Sequence, residues 1–86
     1  MSVEVWFTEQ ADVALRALEA DPSVEALLLD VNRVLVMLEE DPTQQAVRRR
    51  LYTDGTRRVD LWRFDWMVLW SLWNDGVLVR YIGPAL

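Results

Sequence analysis

The chain has 86 residues, enough for one hydrophobic core, and this predicts a single domain over 1–86. Apolar residues make up 52% of the chain and charged residues 27%, a composition typical of a packed globular domain and unlike that of a disordered chain. The formal net charge of -5 argues against a nucleic-acid-binding protein, provided that the charge is spread evenly over the molecule.

The first half of the chain predicts one strand followed by two helices. Residues 3–7 are β-branched or aromatic except for Glu4, and this composition favours a strand. Thr8 is suited to cap a helix over about 9–20, in which apolar residues recur every three or four positions. Asp21-Pro22 ends that helix and begins a second one over about 22–40, and Asp41-Pro42 repeats the stop signal.

The second half of the chain predicts antiparallel strands, because from Arg48 onward the apolar pattern alternates. Asp54-Gly55 and Asp75-Gly76 each predict a hairpin with a two-residue type I′ turn. The expected cross-strand partners are Tyr52 with Arg57, Arg49 with Asp60, Trp73 with Leu78, Ser71 with Arg80, and Trp70 with Tyr81. Residues 66–73 are apolar apart from Ser71, so we expect them at the centre of the sheet, covered on both sides.

Together these elements predict an α+β domain with the element order β-α-α-β-β-β. Its antiparallel meander sheet packs against an N-terminal helical hairpin. The sequence contains no repeat, no low-complexity tract and no internal linker.

The charged residues are distributed unevenly along the chain. Residues 1–43 hold ten acidic residues and two arginines (-8), whereas residues 44–86 hold seven arginines and four acidic residues (+3). The predicted sheet can therefore carry a basic surface although the whole chain is acidic. Arginine binds phosphate bidentately and neighbouring aromatic rings stack on unpaired bases. The alternative is that these arginines pair with Asp60, Asp65 and the acidic helices and form a neutralised, solvated face.

Five tryptophans are many for so short a chain. On a regular strand path, one face receives Trp62, Phe64, Trp66 and Trp70. This face is either a stacking or partner-binding surface or part of the core, and we expect at least one tryptophan to be exposed. The acidic residues beside the helices are expected to cap and solubilise them, with Asp21 and Asp41 as caps.

Missing residue types restrict the chemistry further. Without cysteine or histidine, the chain offers carboxylates, tyrosine and arginine as catalytic groups, and we expect no metal and no cofactor. The longest uncharged apolar run has eight residues, too few to cross a bilayer, and no signal peptide is apparent. We therefore expect a cytoplasmic protein without a membrane partner.

The sequence resembles the RelE/ParE superfamily of small bacterial toxins in three stretches, VEVWFTEQADVALRAL at 3–18, LEEDP at 38–42 and DLWRFDWMVLWSLWNDGVLVRYIGP at 60–84. The resemblance covers nearly the whole chain. It implies a toxin of a type II toxin–antitoxin pair, with an antitoxin protein as partner. Some members of the superfamily cleave mRNA on the ribosome and others poison DNA gyrase.

The ribonuclease members imply a set of candidate residues on the sheet. The catalytic candidates are Arg57, Arg58, Arg63 and Arg80 as charge stabilisers and Tyr81 as a proton-transfer group. The candidates for binding RNA or another target are Arg48, Arg49, Arg50 and Trp73.

The chain departs from the ribonuclease pattern at two places. Met67 stands where the central strand usually has an arginine, and Pro84-Ala85 follow Gly83 where an arginine is usual. Losing one electrostatic stabiliser costs about a hundredfold in rate or more. Two interpretations therefore stay open: an mRNA endoribonuclease, or a non-catalytic binding module such as a gyrase-poisoning toxin or an inactive homologue that only binds a partner. A homodimer formed through exposed tryptophans is a third.

Overall fold

Two helices and five strands form the fold in the computed structural model, which describes residues 2–48 and 50–85. The elements are β1 (Val5–Phe7), α1 (Glu9–Ala20), α2 (Glu25–Glu40), β2 (Arg50–Leu51), β3 (Arg57–Leu61), β4 (Trp66–Trp73) and β5 (Gly76–Pro84). Short 3-10 turns occur at Pro22–Val24, Gln45–Val47 and Trp62–Phe64. Over these residues, no helix has the length and apolar character needed to cross a membrane.

The strands form one sheet in the order β1-β5-β4-β3-β2, so β4 is central as predicted. Strands β2 to β5 pair antiparallel in chain order, and β1 adds to the edge of β5 in parallel. The α+β fold class is confirmed. Four strands rather than the expected three follow the helices, because the Trp62–Phe64 turn separates β3 from β4, and the parallel β1 makes the sheet mixed.

The helix boundaries follow the capping signals. Thr8 caps α1 by accepting a hydrogen bond from the Ala11 amide at 3.3 Å, and α1 has the predicted bounds. The second helix begins later than predicted, at Glu25, because Pro22–Val24 form a 3-10 turn first. Asp21 caps this turn, as predicted, by accepting a hydrogen bond from the Ser23 amide.

The helices cover one face of the sheet, where the core lies. Strands β3 to β5 contribute Val59, Leu61, Val68, Trp70, Val77, Val79 and Ile82, and the helices contribute Ala11, Leu18, Leu27, Val31, Val34 and Leu38. β4 was expected to be covered on both faces. On the face opposite the helices, this is confirmed for Met67 and Ser71, which are buried. It fails at the hairpin end, where Leu72 and Trp73 are exposed.

The β4–β5 turn has the predicted type but a different centre. Asn74 and Asp75 take positive φ values of 52° and 63°, and Trp73 pairs with Gly76. The predicted partners of Ser71, Trp70 and Trp73 were therefore wrong. Asn and Asp tolerate the left-handed region, so this turn does not need its glycine there. A bulge between Leu69 and Trp70 nevertheless lets Arg80 reach Ser71.

The β2–β3 connection is longer than the predicted two-residue turn. The Tyr52 amide donates to the Thr56 carbonyl at 2.7 Å, which leaves a three-residue loop with Gly55 at a φ of 91°. This arrangement is a turn followed by a left-handed glycine. Leu51 rather than Tyr52 consequently faces Arg57. The predicted contact of Arg49 with Asp60 lies outside the described residues.

The aromatic residues of 62–70 do not share one face, because the strand path is interrupted. Trp62–Phe64 form a 3-10 turn, and Asp65 closes it in the left-handed region at a φ of 56°. Trp62 is consequently 81% exposed, whereas Trp70 is fully buried. The single aromatic face predicted for a regular strand was therefore wrong, while the expected exposed tryptophan is present.

Two Asp-Pro turns make the stability of the domain sensitive to acid. The hydroxyl and amide of Ser23 donate to Asp21, and those of Thr43 donate to Asp41. These hydrogen bonds hold the pKa of both carboxyls below the ordinary value of 3.8. A carboxyl with a lowered folded-state pKa stabilises the fold above its unfolded pKa, and this contribution is lost as pH falls through the folded pKa.

We therefore expect the melting temperature to fall below about pH 3.8 and to fall less steeply in an Asp21→Asn/Asp41→Asn double variant. Asparagine keeps an acceptor at each cap but carries no charge at any pH. Thermal melts by circular dichroism between about pH 2 and 7 measure the effect. Glu25→Gln is the control, because its carboxylate makes no hydrogen bond among the described residues, and an unchanged acid slope in the double variant would contradict the assignment.

Candidate functional site

The face of the sheet opposite the helices carries part of the predicted site. We call it the outer face, and on β4 it presents Met67, Leu69, Ser71 and Trp73, which alternate with core residues. Arg58 of β3 and Tyr81 of β5 both pair with Leu69, one on each side. Since neighbouring strands lie about 4.8 Å apart, the Arg58 and Tyr81 backbones are separated by about 10 Å across this face.

Asp60 organises the arginines at one end of the outer face. Its carboxylate accepts from Arg58 Nε at 2.7 Å and from Arg50 Nη1 at 3.1 Å. The Asp60 side chain is only 7% exposed and that of Arg58 13% exposed, whereas Arg50 is largely in solvent. Hydrogen bonds to Tyr52 and Asp60 raise the pKa of Arg58 above its ordinary value. One carboxylate therefore neutralises part of the charge of two predicted site residues, and Asp60 is one of the carboxylates expected to pair with solvated arginines.

We expect Asp60→Asn to lower the free energy of unfolding by about 2–3 kcal/mol, because Arg58 would remain largely buried without a carboxylate partner. Urea denaturation followed by circular dichroism measures the change. Asp12→Asn is the matched control: it breaks the exposed Asp12–Arg16 pair, which is worth about 0.5 kcal/mol or less. Equal losses in the two variants would show that Asp60 is no more important than a surface carboxylate.

Arg80 and Tyr81 lie on the same outer face, and both are already engaged. Arg80 Nε donates to the Ser71 hydroxyl at 2.7 Å. The Tyr81 hydroxyl donates to the Pro84 carbonyl at 3.1 Å, and its ring lies over Gly83, which has no side chain to obstruct it. The two side chains are thus held in position next to each other at the β5 bulge.

The remaining predicted residues lie elsewhere. Arg57 alternates with Arg58, and its Nη1 donates to the Arg48 carbonyl at 3.3 Å. Arg48 and Arg57 line a polar groove of about 530 Å³ together with Thr43 and Gln45. Arg63 lies with its guanidinium 5.1 Å from the centre of the Phe64 ring, next to α2.

The structure therefore brings together Arg50, Arg58, Arg80 and Tyr81 on the outer face and keeps Arg48, Arg57 and Arg63 apart from them. Arg49 lies outside the described residues. Trp73 is at the far end of the outer face, where it meets Trp6 in a T-shaped pair with centroids 5.5 Å apart. Trp6 was not among the predicted site residues, although a strand over 3–7 places it on the face opposite Val5 and Phe7.

No group of three or more carboxylates within 2–48 and 50–85 is arranged to hold a metal ion. The pairs that do form join carboxylates to arginines. The outer face presents the guanidinium groups of Arg50, Arg58 and Arg80 and the hydroxyls of Ser71 and Tyr81, which suit contact with anions or with polar protein surfaces.

The chain shares its fold with a solved chain of a toxin–antitoxin system, which confirms the resemblance at the level of the fold. Among solved structures, it is similar to a chain of the chromosomal ParDE toxin–antitoxin (TA) system from P. aeruginosa. The two share 16% sequence identity with a TM-score of 0.71, and the match covers 99% of this chain and 98% of the other. No protein-family model matches the sequence, and neither does any curated protein.

Proposed function

We propose that this chain is the toxin component of a type II toxin–antitoxin pair and that an antitoxin protein neutralises it. The observation that carries the proposal is the structural likeness to a ParDE-system chain over practically the full length of both chains. The match covers 99% of this chain and 98% of the other, so the likeness is not limited to a shared substructure.

The toxin acts by binding a macromolecular target, such as DNA gyrase, rather than by cleaving RNA. Three features of the outer face support this mode. Arg58 and Arg50 share the carboxylate of Asp60, and the Tyr81 hydroxyl is bonded to a backbone carbonyl. Met67, which replaces the usual arginine of the ribonuclease members, is a buried residue. The central strand β4 thus presents no arginine on this face, where a transition state would need positive charge.

The second candidate is an mRNA endoribonuclease, and the common face of Arg58, Arg80 and Tyr81 favours it. In this reaction the 2′-oxygen attacks the adjacent phosphorus and gives up its proton, and the 5′-oxygen leaves with a proton. The products are a 2′,3′-cyclic phosphate and a 5′-hydroxyl. Arg58 and Arg80 would stabilise the added charge on the phosphate, and Tyr81 would transfer a proton.

Inducible expression in a bacterial host tests the toxin function. We expect the chain alone to stop growth. We expect co-expression of its antitoxin to restore growth, and the antitoxin to co-purify with the chain. A soluble, folded chain that leaves growth unaffected at high expression would overturn the proposal.

The two modes of action give different molecular results in the arrested cells. Binding to gyrase predicts accumulation of cleaved chromosomal DNA and no new mRNA ends. Endoribonuclease activity predicts new mRNA 5′ ends by primer extension within minutes of induction. New ends that disappear in the Tyr81→Phe variant would assign the second mode instead of the first.

A further inference from the structure

An apolar groove lies at the hairpin end of the sheet. Its apolar lining comes from Val3, Pro42, Leu72 and Trp73, and its volume is about 400 Å³. Leu72 is 64% exposed and Trp73 48% exposed, so both present apolar surface to solvent beyond the edge of the core. A volume of this size falls in the range of pockets that accept small ligands or a few side chains.

The aromatic wall of this groove is held in place. Trp73 meets Trp6 edge to face, with an interplanar angle of 89°. Trp6 lies on β1, which is fixed to the sheet by its parallel pairing with β5. An aromatic residue that is already ordered loses little freedom on binding, which is a property of binding hot spots.

Three acidic residues lie at or beside the groove. Asp75 lines it directly, Glu4 follows Val3 in sequence, and the Glu39 carbonyl accepts from the Val3 amide at 2.8 Å. All three are exposed. In the part of the chain that the structure describes, ion pairs involve other carboxylates, those of Asp12, Asp30 and Asp60. The residues that line the groove include no arginine.

We propose that this groove binds a basic amphipathic segment of a partner protein. Apolar side chains of the segment occupy the space between Leu72, Pro42 and Val3. Its lysines or arginines contact the Trp73 ring and the carboxylates of the rim. The acidic rim repels nucleic acid and anionic membranes, which have the wrong charge for this site. The inference concerns a surface distinct from the arginines of the outer face and does not depend on the proposed toxin function.

Two synthetic peptides test the proposal with the full chain. One is a twelve-residue amphipathic peptide of leucine, alanine and arginine, and the other has glutamate at every arginine position. We expect the basic peptide to bind with a Kd in the micromolar range, about 10–100 μM, and to shift the amide NMR signals of residues 72–76. We expect the acidic peptide not to bind at about 1 mM.

Substitutions of exposed side chains locate the binding site without disturbing the fold. Leu72→Ser and Glu39→Arg change exposed side chains, and each is expected to weaken binding of the basic peptide about tenfold, with Glu39→Arg also reducing its salt dependence. Trp62→Ala, which removes an exposed tryptophan at another surface, is the control and should leave binding unchanged. Equal binding of the acidic peptide, signal shifts centred elsewhere, or no binding of the basic peptide at about 1 mM would each overturn the proposal.

Discussion

Replacing Trp70 by alanine is expected to lower the free energy of unfolding by about 4 kcal/mol. Trp70 is the largest fully buried side chain of the core, and its indole Nε1 donates to the Val47 carbonyl at 2.9 Å. The substitution removes apolar contacts with neighbouring core residues and leaves a buried carbonyl without its donor. A small domain has a total stability of about 5–15 kcal/mol, so this loss is a large part of the total.

Urea denaturation monitored by circular dichroism measures this loss, and two further variants separate its causes. Trp70→Phe keeps an aromatic ring but not the indole N–H, and we expect it to cost about 2 kcal/mol. Trp62→Ala removes an 81% exposed tryptophan, and we expect a change of about 0.5 kcal/mol or less. Similar losses at Trp70 and Trp62 would mean that the two tryptophans are placed wrongly.

Replacing Gly76 by alanine is expected to destabilise the domain by about 3 kcal/mol. A Cβ at this position would lie against the backbone carbonyl of Glu4 and 2.8 Å from the Trp6 ring. Because the obstructing carbonyl belongs to the backbone, relief requires β1 to move away from β5. In a domain of this size, such a loss corresponds to a decrease in melting temperature of about 12–24 °C.

The control for Gly76 is Gly83, the other buried glycine of β5. A Cβ at Gly83 would meet only the outer end of the Tyr81 ring, which can rotate away. We therefore expect Gly83→Ala to cost about 1 kcal/mol and to alter the Tyr81 environment, not the pairing of β1. Differential scanning fluorimetry ranks the two variants, and a larger loss at Gly83 than at Gly76 would contradict the close approach of β1.

Local signals in the sequence were sufficient to place the helices and to identify the central strand. Thr8 and Asp21 act as N-caps as predicted, whereas Asp41 accepts from Thr43 in the turn after α2 and the next 3-10 turn has Gln44 as its N-cap residue. The side-chain contacts of Thr8, Asp21 and Asp41 involve only residues two or three positions away. The apolar spacing of α2 and the continuous apolar run of β4 also depend on nearby positions. Interactions of this range can be inferred without knowledge of the tertiary structure.

The strand registers could not be inferred in the same way, because tertiary contacts decide them. Gly76 would suit a turn, but the approach of β1 requires a residue without Cβ at a paired strand position. Asn74 then takes one of the turn positions. The left-handed Asp65 interrupts the strand after Trp62, which separates tryptophans that strict alternation would have put on one face.

Arginines made up most of the predicted candidate site. The sequence alone did not show which of them would lie on the same surface. Arg57 and Arg58 are neighbours in sequence and lie on opposite faces, as any adjacent strand residues must. The role of Asp60 depends on side chains from two strands converging on one carboxylate. The sequence alone shows that Asp60 and Arg58 are two positions apart on one strand. Whether Arg50 of β2 reaches Asp60 depends on the register between β2 and β3.

The proposal that the chain is a toxin that acts by binding is tested most directly by growth after induction. The measurement compares the wild type with an Arg80→Ala/Tyr81→Phe double variant. Both altered side chains lie on the outer face, and neither belongs to the core cluster. A toxin that acts by binding is expected to arrest growth in both forms and to be neutralised by its antitoxin in both. Normal growth with a folded wild-type chain would contradict the toxin function, and new mRNA 5′ ends that appear with the wild type and are absent with the folded double variant would contradict the binding mode.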